Sequence, residues 1–440
     1  MFKFKTFGLL CLITVLASCG IFSNKKEIPQ GERISVLDLP AQKFASASKA
    51  KSFDISKPMQ NADWSQTAGN ATHLTKNIAI NTEPKKLWTA DFGKGASKRN
   101  LLLASPIIFG DNVYAQDVNG TVYAFDLKSG KQVFKTKLKP FNDNDASSAM
   151  NGAGLAAYKE YVYAAAGFGG LFALDKTTGT VVWSKDLNTL LRAAPTVAGG
   201  KLFVQTIDNR LLCLDAKDGS DIWDFSISAE DTVLAGGAVP AYDANQQIVV
   251  AAFSNGEIQA FNARIGYPIL SNNLINEKLV GSSLGINAVK ASPVIDGNVV
   301  YAVGSNALTL AINLESGDVL WKAPIGGTNT PLVDSQSVFV LSDNLELFAL
   351  DKKTGNVLYK KELLREFSHK KRRNLSASGP VMLNSELYIT TSLGTIYVFD
   401  AKTGEQKRTI DISSPIAFAP IAAQKTMIIT TDNAKLIAFE

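Results

Sequence analysis

Residues 346–359 read ELFALDKKTGNVLY. The apolar residues before Asp351 suit a half-buried strand, Asp351 opens a turn by bonding its own backbone, and Gly355 supplies positive φ at the turn's end. A second strand then runs through Tyr359. The same unit recurs as GTVYAFDLKSGKQVF, GLFALDKTTGTVVW, RLLCLDAKDGSDIW, EIQAFNARIGYPIL, LTLAINLESGDVLW and TIYVFDAKTGEQKR, with a final IAFE at the end. Aligned, the units place an acidic or amide residue at 126, 175, 215, 262, 313, 351, 400 and 440, and glycine four residues later at 130, 179, 219, 266, 317, 355 and 404. Eight residues past the anchor stand Phe134, Trp183, Trp223, Leu270, Trp321, Tyr359 and Arg408, so a bulky side chain usually sits where neighbouring units would pack.

Two further short strands precede every unit, as in ASPIIFGDNVYAQD and ASPVIDGNVVYAVG, making four strands per repeat. Anchor spacings run from 38 residues (313 to 351) to 51 (262 to 313), which suits propeller blades with variable loops and not a solenoid of short, steady period. The last repeat stops at Glu440 without its glycine turn and outer strand, while residues 82–88, TEPKKLW, look like an outer strand with its tryptophan and no inner strands before it. Pairing these two pieces closes the ring and removes two exposed edges. The expected fold is all-β: an eight-bladed β-propeller of four-stranded antiparallel blades over residues 81–440, closed by an N-terminal strand at about 82–92 that completes the last blade.

The composition is that of a globular chain, with 46% hydrophobic and 19% charged residues. A net charge of +5 over 440 residues, two of whose lysines lie in a segment expected to be removed, does not supply the clustered cations that nucleic-acid binding needs. The three cysteines, Cys11, Cys19 and Cys213, form no CxxC pair or regular framework, and two histidines, His73 and His369, cannot build a His-based metal cluster. No catalytic, metal-binding or cofactor-binding residues are predicted. Cys213, alone in an alternating strand, reads as a buried structural thiol. Trp88, Trp183, Trp223 and Trp321 read as blade-packing residues, and His73 as a packing or capping residue.

The N-terminus, MFKFKTFGLLCLITVLASCG, has lysines at 3 and 5, a short apolar run and small residues before Cys19, the layout of a secretory signal peptide over residues 1–18. Leu16, Ala17, Ser18 and Cys19 resemble the lipobox of bacterial lipoproteins, which implies lipidation, palmitate included, on Cys19 after cleavage. Several acyl chains anchor stably, each buried methylene adding about 0.8 kcal/mol. Gly20 in place of the aspartate that retains enteric lipoproteins at the inner membrane favours the outer one. Residues 19–80 are polar and unpatterned and read as a largely irregular lipidated tether. Within them, ADWSQTAGNATHLTKN is expected to dock on the folded body through Trp64.

The AxDxxTGxxxW unit resembles the blade motif of the pyrroloquinoline-quinone-type propellers, a superfamily that holds both quinoprotein alcohol dehydrogenases and the BamB-type lipoproteins of the β-barrel assembly machinery. The dehydrogenase branch implies an adjacent cysteine pair, a calcium site of acidic and amide ligands and a catalytic aspartate; there is no Cys-Cys dipeptide in this chain. The BamB-type branch implies a lipobox, a tether and eight blades closed by an N-terminal strand, in that order. It also implies a non-catalytic scaffold on the periplasmic side of the outer membrane, with other assembly-machinery lipoproteins and unfolded outer-membrane proteins as further partners. In that family a loop with Leu and Arg before a Ser/Ala-Ala-Pro element contacts a POTRA domain of BamA; the matching positions are Leu190, Leu191 and Arg192, before Ala193, Ala194 and Pro195. The alternative reading is a periplasmic quinoprotein-type dehydrogenase or small-molecule-binding propeller. The densest charge in the mature chain, with Lys370, Lys371, Arg372 and Arg373, lies between two repeats, where it reads as solvated surface or as an electrostatic contact with an acidic partner or anionic lipid.

Overall fold

The computed structural model describes residues 53–141, 152–228, 236–275, 288–305, 308–365, 367 and 375–440, all within one compact unit, Phe44–Glu440. The signal peptide, Cys19, the early tether and the basic run with Lys370, Lys371, Arg372 and Arg373 lie outside these residues. The described residues form 32 strands in eight four-stranded antiparallel sheets and no helix. Numbered along the chain, blades 1 to 8 occupy residues 107–137, 152–186, 196–226, 241–273, 294–323, 332–362, 377–411 and 421–439, the last completed by Lys86–Asp91. In blade 1 the order is Ile107–Phe109, Asn112–Gln116, Thr121–Asp126 and Gln132–Lys137. The two middle strands are almost wholly buried, while the outer one alternates exposed and covered residues.

The ends of the chain meet in blade 8. Strand Lys86–Asp91 pairs with Lys435–Phe439, Trp88 opposite Ala438 and Asp91 opposite Lys435. Lys85 N donates to Glu440 O at 2.8 Å and Glu440 N returns the bond to Lys85 O at 2.9 Å. The seven outer strands of blades 1 to 7 each carry a bulge at one equivalent place, as at Val133 opposite Ala124/Phe125 and Leu358 opposite Ala349/Leu350. The N-terminal strand repeats it between Lys86 and Trp88, so it enters the last blade as a true outer strand, with the extra twist a bulge provides.

Adjacent blades are locked through the repeat's own signature. Phe134 lies on Gly179, Trp183 on Gly219, Trp223 on Gly266, Trp321 on Gly355, Tyr359 on Gly404 and Trp88 on Gly130; a Cβ at these glycines would come within 2.4 to 2.9 Å of the ring. The turn residue must therefore be glycine twice over, for its positive φ (66 to 76° at these positions) and for the ring above it. The ring's polar end is satisfied by the same neighbour: Trp88, Trp223 and Trp321 Nε1 donate to Leu127, Ala263 and Lys352 carbonyls at 2.9 to 3.1 Å. Trp183 differs, since Tyr163 Oη donates to the equivalent Ala216 carbonyl and Trp183 Nε1 is left without a partner among the described residues. Arg408 faces a blade with no glycine turn. It makes a bidentate ion pair with Glu386 (3.0 and 2.7 Å) and donates to Tyr388 Oη at 2.8 Å.

Residues 53–80 have irregular backbone yet are bonded into the body along their whole length. Ser56 N donates to Asp334 of blade 6 at 2.9 Å, Asn61 Nδ2 to Ala422 O of blade 8, and Trp64 exchanges two backbone bonds with Ile108 of blade 1. Ser65, Ala71 and Thr72 carbonyls accept from Ala157, Tyr242 and Ile295 of blades 2, 4 and 5. Gln66 grips the peptide of Val197 in blade 3 with both side-chain atoms, at 2.7 and 2.8 Å, and Ile78 N donates to Met382 O of blade 7. All eight blades thus hold one continuous strap. It lies against the first strand of the blades and the turns that follow it.

Candidate functional site

The ring holds a cup of about 520 Å³, lined by Trp64, Thr67, Ala68 and Thr75 of the strap and by the segments that lead into the first strand of the blades. The wall at blades 3 to 5 is cationic. Arg192, leading into blade 3, is half-buried there, and its backbone carbonyl accepts from Gly237 N at 3.2 Å. Lys290, leading into blade 5, passes over Gly236, whose missing Cβ would stand 3.3 Å from Lys290 Cε. Gly236 itself has φ +85. Desolvation holds both cations below their ordinary pKa, with the charge of Asp343 partly offsetting this for Lys290. Neither takes part in an ion pair among the described residues. Across the ring, the wall at blades 7, 8 and 1 presents Leu101, Leu103, Val381 and Phe418, together with Asp432, whose carboxyl burial pushes upward.

The three residues matched to a partner contact part ways. Leu190 is 38% exposed, Leu191 is fully buried in the core between blades 2 and 3, and Arg192 turns into the cup. Leu191 bridges to Thr206, and Leu190 O accepts from Ile207 N at 3.1 Å, so the buried leucine fixes the loop that presents its two neighbours. In a partner contact Leu191 therefore supports and does not touch. Lys290 and Gly236 had no signal in sequence. They belong to different loops, and neither stands in the repeat motif.

His73 is 1% exposed, with φ +61, in the strap. Its Nδ1 lies 2.8 Å from Pro293 O, so Nδ1 carries the proton, and burial lowers its pKa to about 4. It is a neutral packing residue. Cys213 is fully buried, and desolvation pushes its thiol up to about 12. The described residues bring no three His, Cys, Asp or Glu together in a metal-holding group, and the cup's side chains do not match the cysteine pair and acidic-amide set of a quinone–calcium centre.

A family profile described as outer membrane protein assembly factor BamB matches residues 119–361. An assembly factor of that name from Yersinia pestis is 28% identical over 360 residues, spanning 81% of this chain and 88% of the relative. Among solved structures, BamB from Moraxella catarrhalis superposes with a TM-score of 0.68 at 15% identity, over 81% of this chain and all of that one. The quinohemoprotein alcohol dehydrogenase of Comamonas testosteroni reaches 0.66 at 13% identity, over 90% of this chain and 83% of that one, and shares the fold. Propeller architecture alone does not separate an assembly factor from a dehydrogenase. The family match, which covers more than half of the sequence, does: the chain belongs to the outer membrane protein assembly factor BamB family.

Proposed function

We propose that this protein is a non-catalytic scaffold of the outer-membrane protein assembly complex, anchored by lipid on Cys19 in the outer membrane and facing the periplasm. There it binds the POTRA region of BamA and assists folding and insertion of β-barrel proteins beside the other lipoproteins of the complex. The observation that carries the contact is the pairing of an exposed Leu190 with a half-buried Arg192 on a loop pinned by Leu191. Arginine is among the residue types enriched at the energetic centres of protein–protein contacts, and the exposed leucine beside it adds apolar area. Co-purification from detergent-solubilised membranes tests this reading. The native chain retains BamA, and Arg192→Glu loses it by tenfold or more with an unchanged unfolding midpoint. Equal recovery of BamA with both chains contradicts it.

A further inference from the structure

The cup is an open cavity with two cations on one side of its wall. Its volume of about 520 Å³ falls within the roughly 300–1,000 Å³ typical of pockets that enclose small ligands. Arg192 and Lys290 rise from opposite sides of Gly236 and Gly237. Arg192, half-buried, and Lys290, exposed, put two like charges on one wall without an ion-pair partner among the described residues, an arrangement that favours an anion between them. Blades follow one another around the ring, so the loops into blades 3 and 5 face those of blades 7, 8 and 1, where Leu101, Leu103, Val381 and Phe418 offer an apolar surface.

We propose that the central cup is a binding site for a carboxylate carried on an apolar body, with Arg192 and Lys290 receiving the carboxylate and the leucine–phenylalanine wall receiving the rest. Lys290 is its specificity-determining residue. The glycine at 236 leaves room for the lysine stem to lie along the wall, and a short cationic side chain from another loop would not reach the same place. Such a ligand has two sources, the free C-terminus of an apolar polypeptide or a small organic acid.

Calorimetry on the full chain in detergent distinguishes them with three probes: an apolar hexapeptide with a free C-terminus, its C-amidated twin, and naphthoic acid. Lys290 is separate from the BamA-contacting pair, so Lys290→Gln is expected to retain BamA while losing the carboxylate probe. The expected result is binding of the free-carboxylate peptide, at least tenfold weaker binding of the amide, and a similar loss in Lys290→Gln that Lys290→Arg restores, with unfolding midpoints unchanged. Binding of naphthoic acid as well assigns the site to small acids, and its failure beside the peptide assigns it to chain ends; either supports the proposal. Equal affinity for the peptide and its amide, full binding by Lys290→Gln, or no binding of any probe overturns it.

Discussion

The contact that repeats around the ring is a ring on a glycine. Gly355 has φ +71, and its Cβ would stand 2.5 Å from Trp321, with backbone on one side and a fixed indole on the other. Gly355→Ala therefore meets both backbone strain and overpacking, and a loss of about 2–3 kcal/mol is expected in urea unfolding. Trp321→Phe keeps most of the packing but strands the Lys352 carbonyl, to which Nε1 donates at 2.9 Å, at about 1–2 kcal/mol. Cys213 gives a simpler test. Fully buried and with its thiol raised to about 12, it stays unmodified by a thiol reagent at neutral pH in the folded protein and reacts once the chain is unfolded. The glycine and the bulky residue were legible in the sequence because they stand at fixed offsets from one anchor. That the bulky residue packs between blades was legible from the same offset; that its partner there is the next blade's turn glycine was not, since the offset does not set the register between blades.

At the scale of elements, the strap over residues 53–80 was legible only at Trp64, which docks on Ile108. Its burial follows no period of two or 3.6, and its partners are mostly backbone groups spread over eight blades, so its composition reads as a tether although it is bonded into the fold. His73 gives it a pH signature. Folded, the imidazole titrates at about 4, against 6.5 for the unperturbed group. The unfolded chain therefore binds the proton first. The stability from the neutral folded form is complete above pH 6.5 and is lost as pH falls from there towards 4, by up to about 3 kcal/mol. The urea midpoint is expected to drop across that window, and His73→Asn, whose side chain tolerates positive φ, is expected to flatten the drop while leaving the midpoint near pH 8 close to native.

At the scale of the molecule, the ring was readable because one repeat is incomplete where another segment is orphaned. The structure adds the bulge between Lys86 and Trp88 that makes the orphan a proper outer strand. A chain starting at residue 93 leaves the edge of Lys435–Phe439 bare and is expected to elute as oligomers in size-exclusion chromatography. One starting at residue 81 keeps the closing strand, loses only the strap, and is expected to elute as a monomer with a lower unfolding temperature. The functional surface was less legible than the fold. The resemblance to a family loop singles out Arg192 as a candidate, but the cup it lines is assembled from residues hundreds of positions apart, and sequence spacing does not encode that convergence. Scaffold function at this loop is the central claim, and in-cell photo-crosslinking tests it most directly. A photoreactive residue in place of Leu190, 38% exposed, is compared with one in place of Ile222, 42% exposed on the outer strand of the same blade 3. The account predicts a BamA adduct from position 190 and none from 222; no adduct at 190, or equal adducts from both, would contradict it.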